Sequence, residues 1–337
     1  MRIILILLLI LNLGFYSYSQ KATSEDSIKQ EIEEIDYVFN TFSAPLIVNG
    51  QSIETNLKNN LNFEIYHRFG PITNTFAGLD HQVNIRWGFS YGLSDKYTIG
   101  FGRSKYAGSW DFYGKAKILS QSTGSKKMPL SLTVYSSTVI KTTTNKGQGQ
   151  SQGGGNGNGN GGGNGNGGGH GNGGGHGNGN GSGGGNGNGG GNGNGGNFDT
   201  NSNYNYAWNT QLIFARKFND KFSAQISPTF TYLFRTNNNI NNFQYGLGTG
   251  IRYAINWRWA LLSEYYFNFI ETNDVIDVTK SWGLGVEIKT AMHTFHITLG
   301  SSQILNENAF TRTIMTKNNQ DNSTLHLGFN IIIRNYF

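Results

Sequence analysis

Cysteine is absent from the 337 residues, which excludes disulfides, thiolate nucleophiles and cysteine metal ligands. Clustered charge is missing too. The formal net charge is +6 and the pI near 9.3, but Lys and Arg are scattered, which argues against nucleic acid as a partner. Beyond the N-terminus there is no apolar run long enough for a membrane helix, and the mean hydropathy is −0.42. That value suggests a soluble protein for every class except the transmembrane β-barrel, whose lumen-facing polar residues dilute each strand.

The first twenty residues, MRIILILLLILNLGFYSYSQ, have the form of an export signal: Arg2, an apolar run from Ile3 to Leu13, and small residues at Ser17 and Ser19. The run is shorter than the ~20 residues a spanning helix needs. Residues 1–19 are therefore expected to be a signal peptide cleaved before Gln20, and the mature chain to be exported.

Beyond Asn60 the chain alternates with a period of 2. In HQVNIRWGFSYGLS, Val83, Ile85, Trp87, Phe89, Tyr91 and Leu93 share one face, with polar residues and glycine on the other. The same pattern recurs around Phe63, Phe230, Ile251 and Phe329. Alternation marks strands with one apolar and one polar face, in a sandwich as much as in a barrel. Length favours the barrel, since these runs approach the ~9–11 residues of a tilted membrane strand rather than the ~5–6 of soluble ones. Proline is scarce and aromatics are plentiful. Tyr97, Trp110, Trp208, Trp257, Trp259 and Trp282 sit near strand ends, as interfacial girdles do.

About twelve strands are expected, near 61–69, 81–93, 97–105, 111–119, 129–141, 205–217, 221–235, 243–255, 259–269, 281–289, 293–301 and 324–336. Their connections separate by parity. Ser94 to Lys96, Asn219-Asp220, Asn256 to Arg258 and Thr290 to Met292 are tight and fall on one side, with 120–128 somewhat longer; every long connection falls on the other. Short periplasmic turns and long outer loops are the rule for outer-membrane barrels. The last strand alternates to a terminal Phe337, the form of an assembly signal, which implies the barrel assembly machinery and outer-membrane lipid as partners.

The segments Asn49 to Thr55, YHRFGPI (Tyr66 to Ile72), GLSDKYTIGFGRSKY (Gly92 to Tyr106), MPLSLTVYSS (Met128 to Ser137), ARKFNDKFSAQISPTF (Ala215 to Phe230) and LGFNIIIR (Leu327 to Arg334) carry a resemblance. Together they resemble an uncharacterised family of Bacteroidota outer-membrane β-barrel proteins, a domain-of-unknown-function family. The resemblance covers about Phe42 to Phe337 except for the Gly/Asn-rich insert. It implies a barrel in the outer membrane and brings neither substrate nor catalytic residues.

Residues 20–40 form a periplasmic segment, short helix or disordered. Within 41–60, Asn49-Gly50 is the strongest hairpin signal in the chain. That hairpin either folds into the lumen or periplasm as a plug or adds two strands to make fourteen; the plug keeps its tight turn off the outer side.

Alternation places Glu64, Arg68, Arg86, Lys115, Lys117, Arg252, Glu264, Glu287 and Lys289 on polar faces. They form either a selective constriction or a network of ion pairs that holds a narrow barrel shut. Glycines 88, 92, 100, 102, 246, 248, 250, 283 and 285 on the same faces favour open space. Enzyme chemistry finds little support. His293 and His296 point to opposite faces of a strand, and neither a GxSxG nor an HExxH motif occurs. His170 and His176, in the Gly/Asn tract, lack further ligands for a metal site. That tract, 145–203, is expected to be a disordered extracellular loop.

The sequence thus predicts an all-β, up-and-down, antiparallel transmembrane barrel of about 12 strands (alternatively 14), integral to the outer membrane. It predicts a channel or transporter for small polar solutes, with the basic excess hinting at anions, a closed anchor for surface display as the alternative and a lipid-modifying enzyme last. No cofactor, metal or catalytic residue is expected.

Overall fold

Each alternating run becomes a strand that keeps its apolar side chains on one face. The computed structural model describes residues 35–72, 76–79, 83–105, 108–142, 204–235, 243–269, 276–278, 281–306, 314–316 and 325–336. Twelve strands close a barrel: β1 (Asn60–Pro71), β2 (Asn84–Ser94), β3 (Tyr97–Ser104), β4 (Trp110–Leu119), β5 (Ser131–Ile140), β6 (Tyr204–Lys217), β7 (Phe222–Arg235), β8 (Phe243–Ala254), β9 (Trp259–Phe269), β10 (Ser281–Lys289), β11 (His293–Gly300) and β12 (His326–Tyr336). Every strand pairs antiparallel with its sequence neighbours, and β12 closes on β1 with Ile331 opposite Ile65. The topology is a plain up-and-down meander without a free edge, which leaves no backbone ladder unpaired in lipid.

Burial follows the period of 2, inverted relative to a water-soluble sheet. Large apolar residues such as Ile99, Phe101, Phe112, Leu212, Ile226, Ile251, Leu261, Phe267, Leu284 and Ile297 are exposed on the outside. Asn62, Glu64, Arg86, Thr133, Gln211, Gln225, Glu287 and Asn330 are buried on the inside. An apolar belt of that size is a lipid-facing surface, because soluble monomers rarely expose contiguous apolar patches above a few hundred Å². Tyr97, Trp257 and Trp259 stand at the short-turn end and Trp110, Trp208 and Trp282 at the other, so the belt is bounded by aromatics at both interfaces. Among the described residues no helix is long and apolar enough to cross a membrane; strands do the crossing.

At the short-turn end, β2–β3, β6–β7, β8–β9 and β10–β11 are joined by two to four residues each. Two small ribbons lie outside the wall. Residues Ile35–Tyr37 pair with Ser122–Gly124 in the β4–β5 connection, and Ile276–Val278 pair with Ile314–Thr316 between the long loops. The Gly/Asn-rich tract lies outside the described residues, as do the signal segment, His81 and Phe337.

Candidate functional site

The hairpin around Asn49-Gly50 contributes no strand to the wall. Residues 41–53 are buried, and their partners come from strands all round the barrel, so the hairpin stands in the lumen. The turn itself is local: Ile47 N–H donates to Gly50 O (2.8 Å), Ser52 N–H to Pro45 O (2.9 Å), and Leu46 bridges Gln51. Both its ends leave through the short-turn end. Val38 N–H donates to Gln121 O before the hairpin, and after it Thr55 Oγ1 donates to Asp95 O and Lys58 N–H to Asp95 Oδ1.

The tip is held by Glu264 on β9, whose carboxylate accepts the main-chain N–H groups of Val48 (3.1 Å), Asn49 (2.9 Å) and Gly50 (3.0 Å). Opposite stands Arg68 on β1. Its guanidinium donates to Asn49 Oδ1 (3.0 and 2.7 Å), to Val48 O (3.0 Å) and to Asn330 Oδ1 (2.8 Å). Asn330 in turn donates to Val48 O (2.9 Å). Deeper toward the turns, Lys115 Nζ donates to the carbonyls of Pro45 (2.7 Å), Ser52 (3.2 Å) and Glu54 (3.1 Å). Gln225 accepts Ile53 N–H (3.2 Å) and donates to Gln51 O (2.8 Å), while Thr133 donates to Ile53 O (2.8 Å). Arg334 donates to Ser43 O. Lys117 faces Glu54 across 3.5 Å.

Four of the remaining expected charges pair within the wall. Arg86 on β2 makes a two-pronged contact with Asp111 on β4 (Nε–Oδ1 3.0 Å, Nη2–Oδ2 2.6 Å) and reaches Glu64 at 3.4 Å. Glu64 also accepts from Tyr66 OH (2.7 Å) and Ser90 Oγ (2.9 Å). On the far side Arg252 donates to Glu287 (2.9 Å), with His296 Nε2 3.5 Å from the same carboxylate. Lys289 is half-buried at the end of β10 nearest the turns. Six of the nine expected charges thus fall into three groups, the tip clamp (Arg68, Glu264), the Arg86–Glu64 cluster and the Arg252–Glu287 pair, while Lys115 and Lys117 contact the hairpin directly. Buried charges of this kind require partners, and here wall and hairpin supply them.

The inward glycines take a different part from the open space expected of them. A Cβ at Gly250 would stand 2.1 Å from Ile47 Cδ1, and one at Gly283 2.8 Å from Val48 Cγ1. At Gly102 and Gly100 the space is filled by Arg86 and Tyr113. Phe42, Ile47, Val48 and Ile53 form an apolar cluster with Tyr113, Tyr135, Ile213 and Leu262 of the wall. From the long-loop end a second segment, Ser302 to Asn306, dips inward, and Leu305 joins a cluster with Ala44, Leu46, Tyr66 and Ile332. A concavity of about 500 Å³ lies instead on the outer face, beside Ile99, Phe101, Phe112 and Gly114.

The histidines are dispersed. His67 packs on Phe329 and His293 on Phe295, both on the outer face, whereas His296 and His326 point inward. His296 sits opposite Asn330 and His326 opposite Gly300, four residues apart along the β11–β12 ladder. No group of three or more His, Cys, Asp or Glu able to hold a metal occurs among the described residues; His170 and His176 lie outside them. Sequence reasoning missed Asp111, Asn330, Gln225 and Arg334. Asp111 shares its parity with Lys115 and Lys117, so alternation carried the signal for it.

The closed meander, its lipid-facing belt and its occupied polar interior define an integral outer-membrane β-barrel with a luminal plug. The chain belongs to the family described as membrane bound beta barrel domain (DUF5777), which it matches over residues 42–336. No curated protein matches it. Among solved structures it is similar to the NanC porin (8% identity, TM-score 0.43, covering 81% of this chain and 98% of that one). It is also similar to an outer membrane channel from Pseudomonas putida F1 (10%, TM-score 0.42, 84% and 98%) and to outer membrane phospholipase A from Escherichia coli (8%, TM-score 0.37, 82% and 91%). At these identities and scores the likenesses transfer neither solute nor activity.

Proposed function

We propose that the protein is a channel or transporter for small polar solutes whose closed state is the one described, with the 41–56 hairpin as its stopper. One observation carries this reading. The hairpin enters and leaves through the same end of the barrel, so it can withdraw in one piece without breaking a rung between wall strands. Behind it most of the inward positions of the wall are polar, including Asn62, Glu64, Arg86, Thr133, Gln211, Gln225 and Asn330, with an apolar strip at Ile213 and Leu262; such a lining suits a hydrated path. Its cations Arg68, Arg86, Lys115, Lys117, Arg252, Lys289 and Arg334 outnumber the carboxylates Glu64, Asp111, Glu264 and Glu287, so anions are the favoured solutes. The role is transport rather than catalysis, in the outer membrane of a Bacteroidota cell, with Phe337 as the element presented to the barrel assembly machinery.

Planar-bilayer conductance tests it. The intact protein should give rare, brief openings, and a variant lacking residues 41–56 a large steady current. A correctly folded deletion variant without current would sink the channel reading. That outcome would favour the closed anchor, for which the apolar cluster of Phe42, Ile47, Val48 and Ile53 speaks. Burying each such side chain is worth about 1.5–3 kcal/mol, and withdrawal forfeits it.

A further inference from the structure

The wall recognises the hairpin chiefly through its main chain. Glu264 accepts three successive N–H groups, Lys115 donates to three carbonyls, and Gln225 contacts one group of each kind. Within the hairpin only the few bonds of the turn are made by the main chain with itself. A segment whose own ladder is so short leaves its amide groups to be satisfied from outside, and the wall does this with side chains. Those groups are present in every peptide, whatever its sequence.

Side-chain contacts add a second, narrower selection. The absence of a Cβ at Gly250 makes room for Ile47, and its absence at Gly283 makes room for Val48. Two adjacent aliphatic side chains are therefore seated at glycines on either side of Glu264, on β8 and β10, while the amides of Val48, Asn49 and Gly50 are held by charge-assisted hydrogen bonds.

From this we infer that the lumen is a binding site for short, extended oligopeptides bearing adjacent aliphatic residues, and that residues 45–53 occupy it as a built-in substitute for such a ligand. The inference rests on the transport reading and names its solute class: peptides, whose terminal carboxylate also suits a wall with excess cations. A plug of this design opens by exchange, because an incoming peptide replaces the contacts that the hairpin gives up. A polar solute lacking amides, such as a free sugar or sulfate, cannot make that exchange.

The test uses the barrel lacking 41–56, reconstituted for conductance and, in detergent, for fluorescence anisotropy. The probe is a labelled peptide with the sequence of Pro45 to Ile53. It should bind and block the current. Methylating the three amide nitrogens that face Glu264, or changing Glu264→Ala, should weaken binding about tenfold or more, since each charge-assisted bond is worth at least that factor. Gly283→Val should weaken this peptide while sparing one with glycine in the place of Val48. Unlabelled Leu-Ile-Val peptides should compete, and sulfate should not. Unchanged binding of the methylated peptide, or no binding to a folded barrel, would overturn the inference. Conduction without peptide binding defeats the peptide site alone; peptide binding without conduction defeats the transport reading alone. Should the deletion variant fail to fold, full-length Gly50→Leu replaces it. A Cβ at that position would lie 1.5 Å from the Tyr266 hydroxyl, so the tip or Tyr266 must shift and the tip is expected to leave its seat.

Discussion

Ile47 of the luminal hairpin fills the place that a side chain at Gly250 of β8 would need, with its Cδ1 only 2.1 Å from where that Cβ would stand. The glycine faces inward in a strand that is otherwise well paired on both sides, so its missing side chain weakens the strand without serving the ladder. Its use is clearance for the plug.

Gly250→Val is therefore expected to unseat the tip while leaving the wall closed. The variant should still show the heat-modifiable gel migration of a folded barrel. In a bilayer it should open more often than the parent, and limited proteolysis should reach residues 41–56. A variant as silent and as protected as the parent would show that Ile47 has room to move aside.

The barrel was legible in the sequence because its determinants are local. Alternation fixes which face of Phe222–Arg235 meets lipid, and turn length fixes the end at which Asn219-Asp220 lies. The plug contacts were not legible in the same way. Glu264 and the Val48–Gly50 amides are more than two hundred residues apart, and a carboxylate on a polar face reads alike whether it meets water or a peptide. The inward glycines misled for the same reason: absence of a side chain signals space without saying what fills it. Asn49-Gly50 marked the hairpin, and only the three-dimensional arrangement showed that Arg68 and Glu264 grip it from two sides.

Glu264→Ala removes the buried acceptor of three N–H groups. Loss of such charge-assisted bonds costs roughly 2–4 kcal/mol of plug seating. Hydrogen exchange at Val48, Asn49 and Gly50 should accelerate by about thirtyfold or more, whereas exchange in the wall strands β2–β5 stays slow. Uniform acceleration across the wall would mean that Glu264 supports the barrel rather than the stopper.

Arg86 contacts both Asp111 and Glu64, and both carboxylates are buried. Arg86→Met leaves two unpaired charges inside and is expected to cost about 3–5 kcal/mol, read as a lower urea midpoint for unfolding from vesicles. Adding Asp111→Asn to that variant removes one orphan charge and should recover part of the loss. A double variant less stable than the single one would show that Asp111 is held by something other than Arg86.

The Gly/Asn-rich tract joins two strands that are paired along the whole of β5, from Ser131 opposite Ala215 to Ile140 opposite Tyr206. Their association is specified by that ladder, so the connection between them has only to be long enough. Deleting Gly153 to Gly196 shortens it roughly threefold, and loop-closure entropy changes by only about 1 kcal/mol, in favour of the folded barrel. The shortened protein should assemble, keep its heat-modifiable migration and retain the parent's bilayer behaviour. If instead it fails to insert, the tract is needed for assembly; if it inserts but opens at a different rate, the tract acts on the outer mouth, above the place where Ser302 to Asn306 meet the plug.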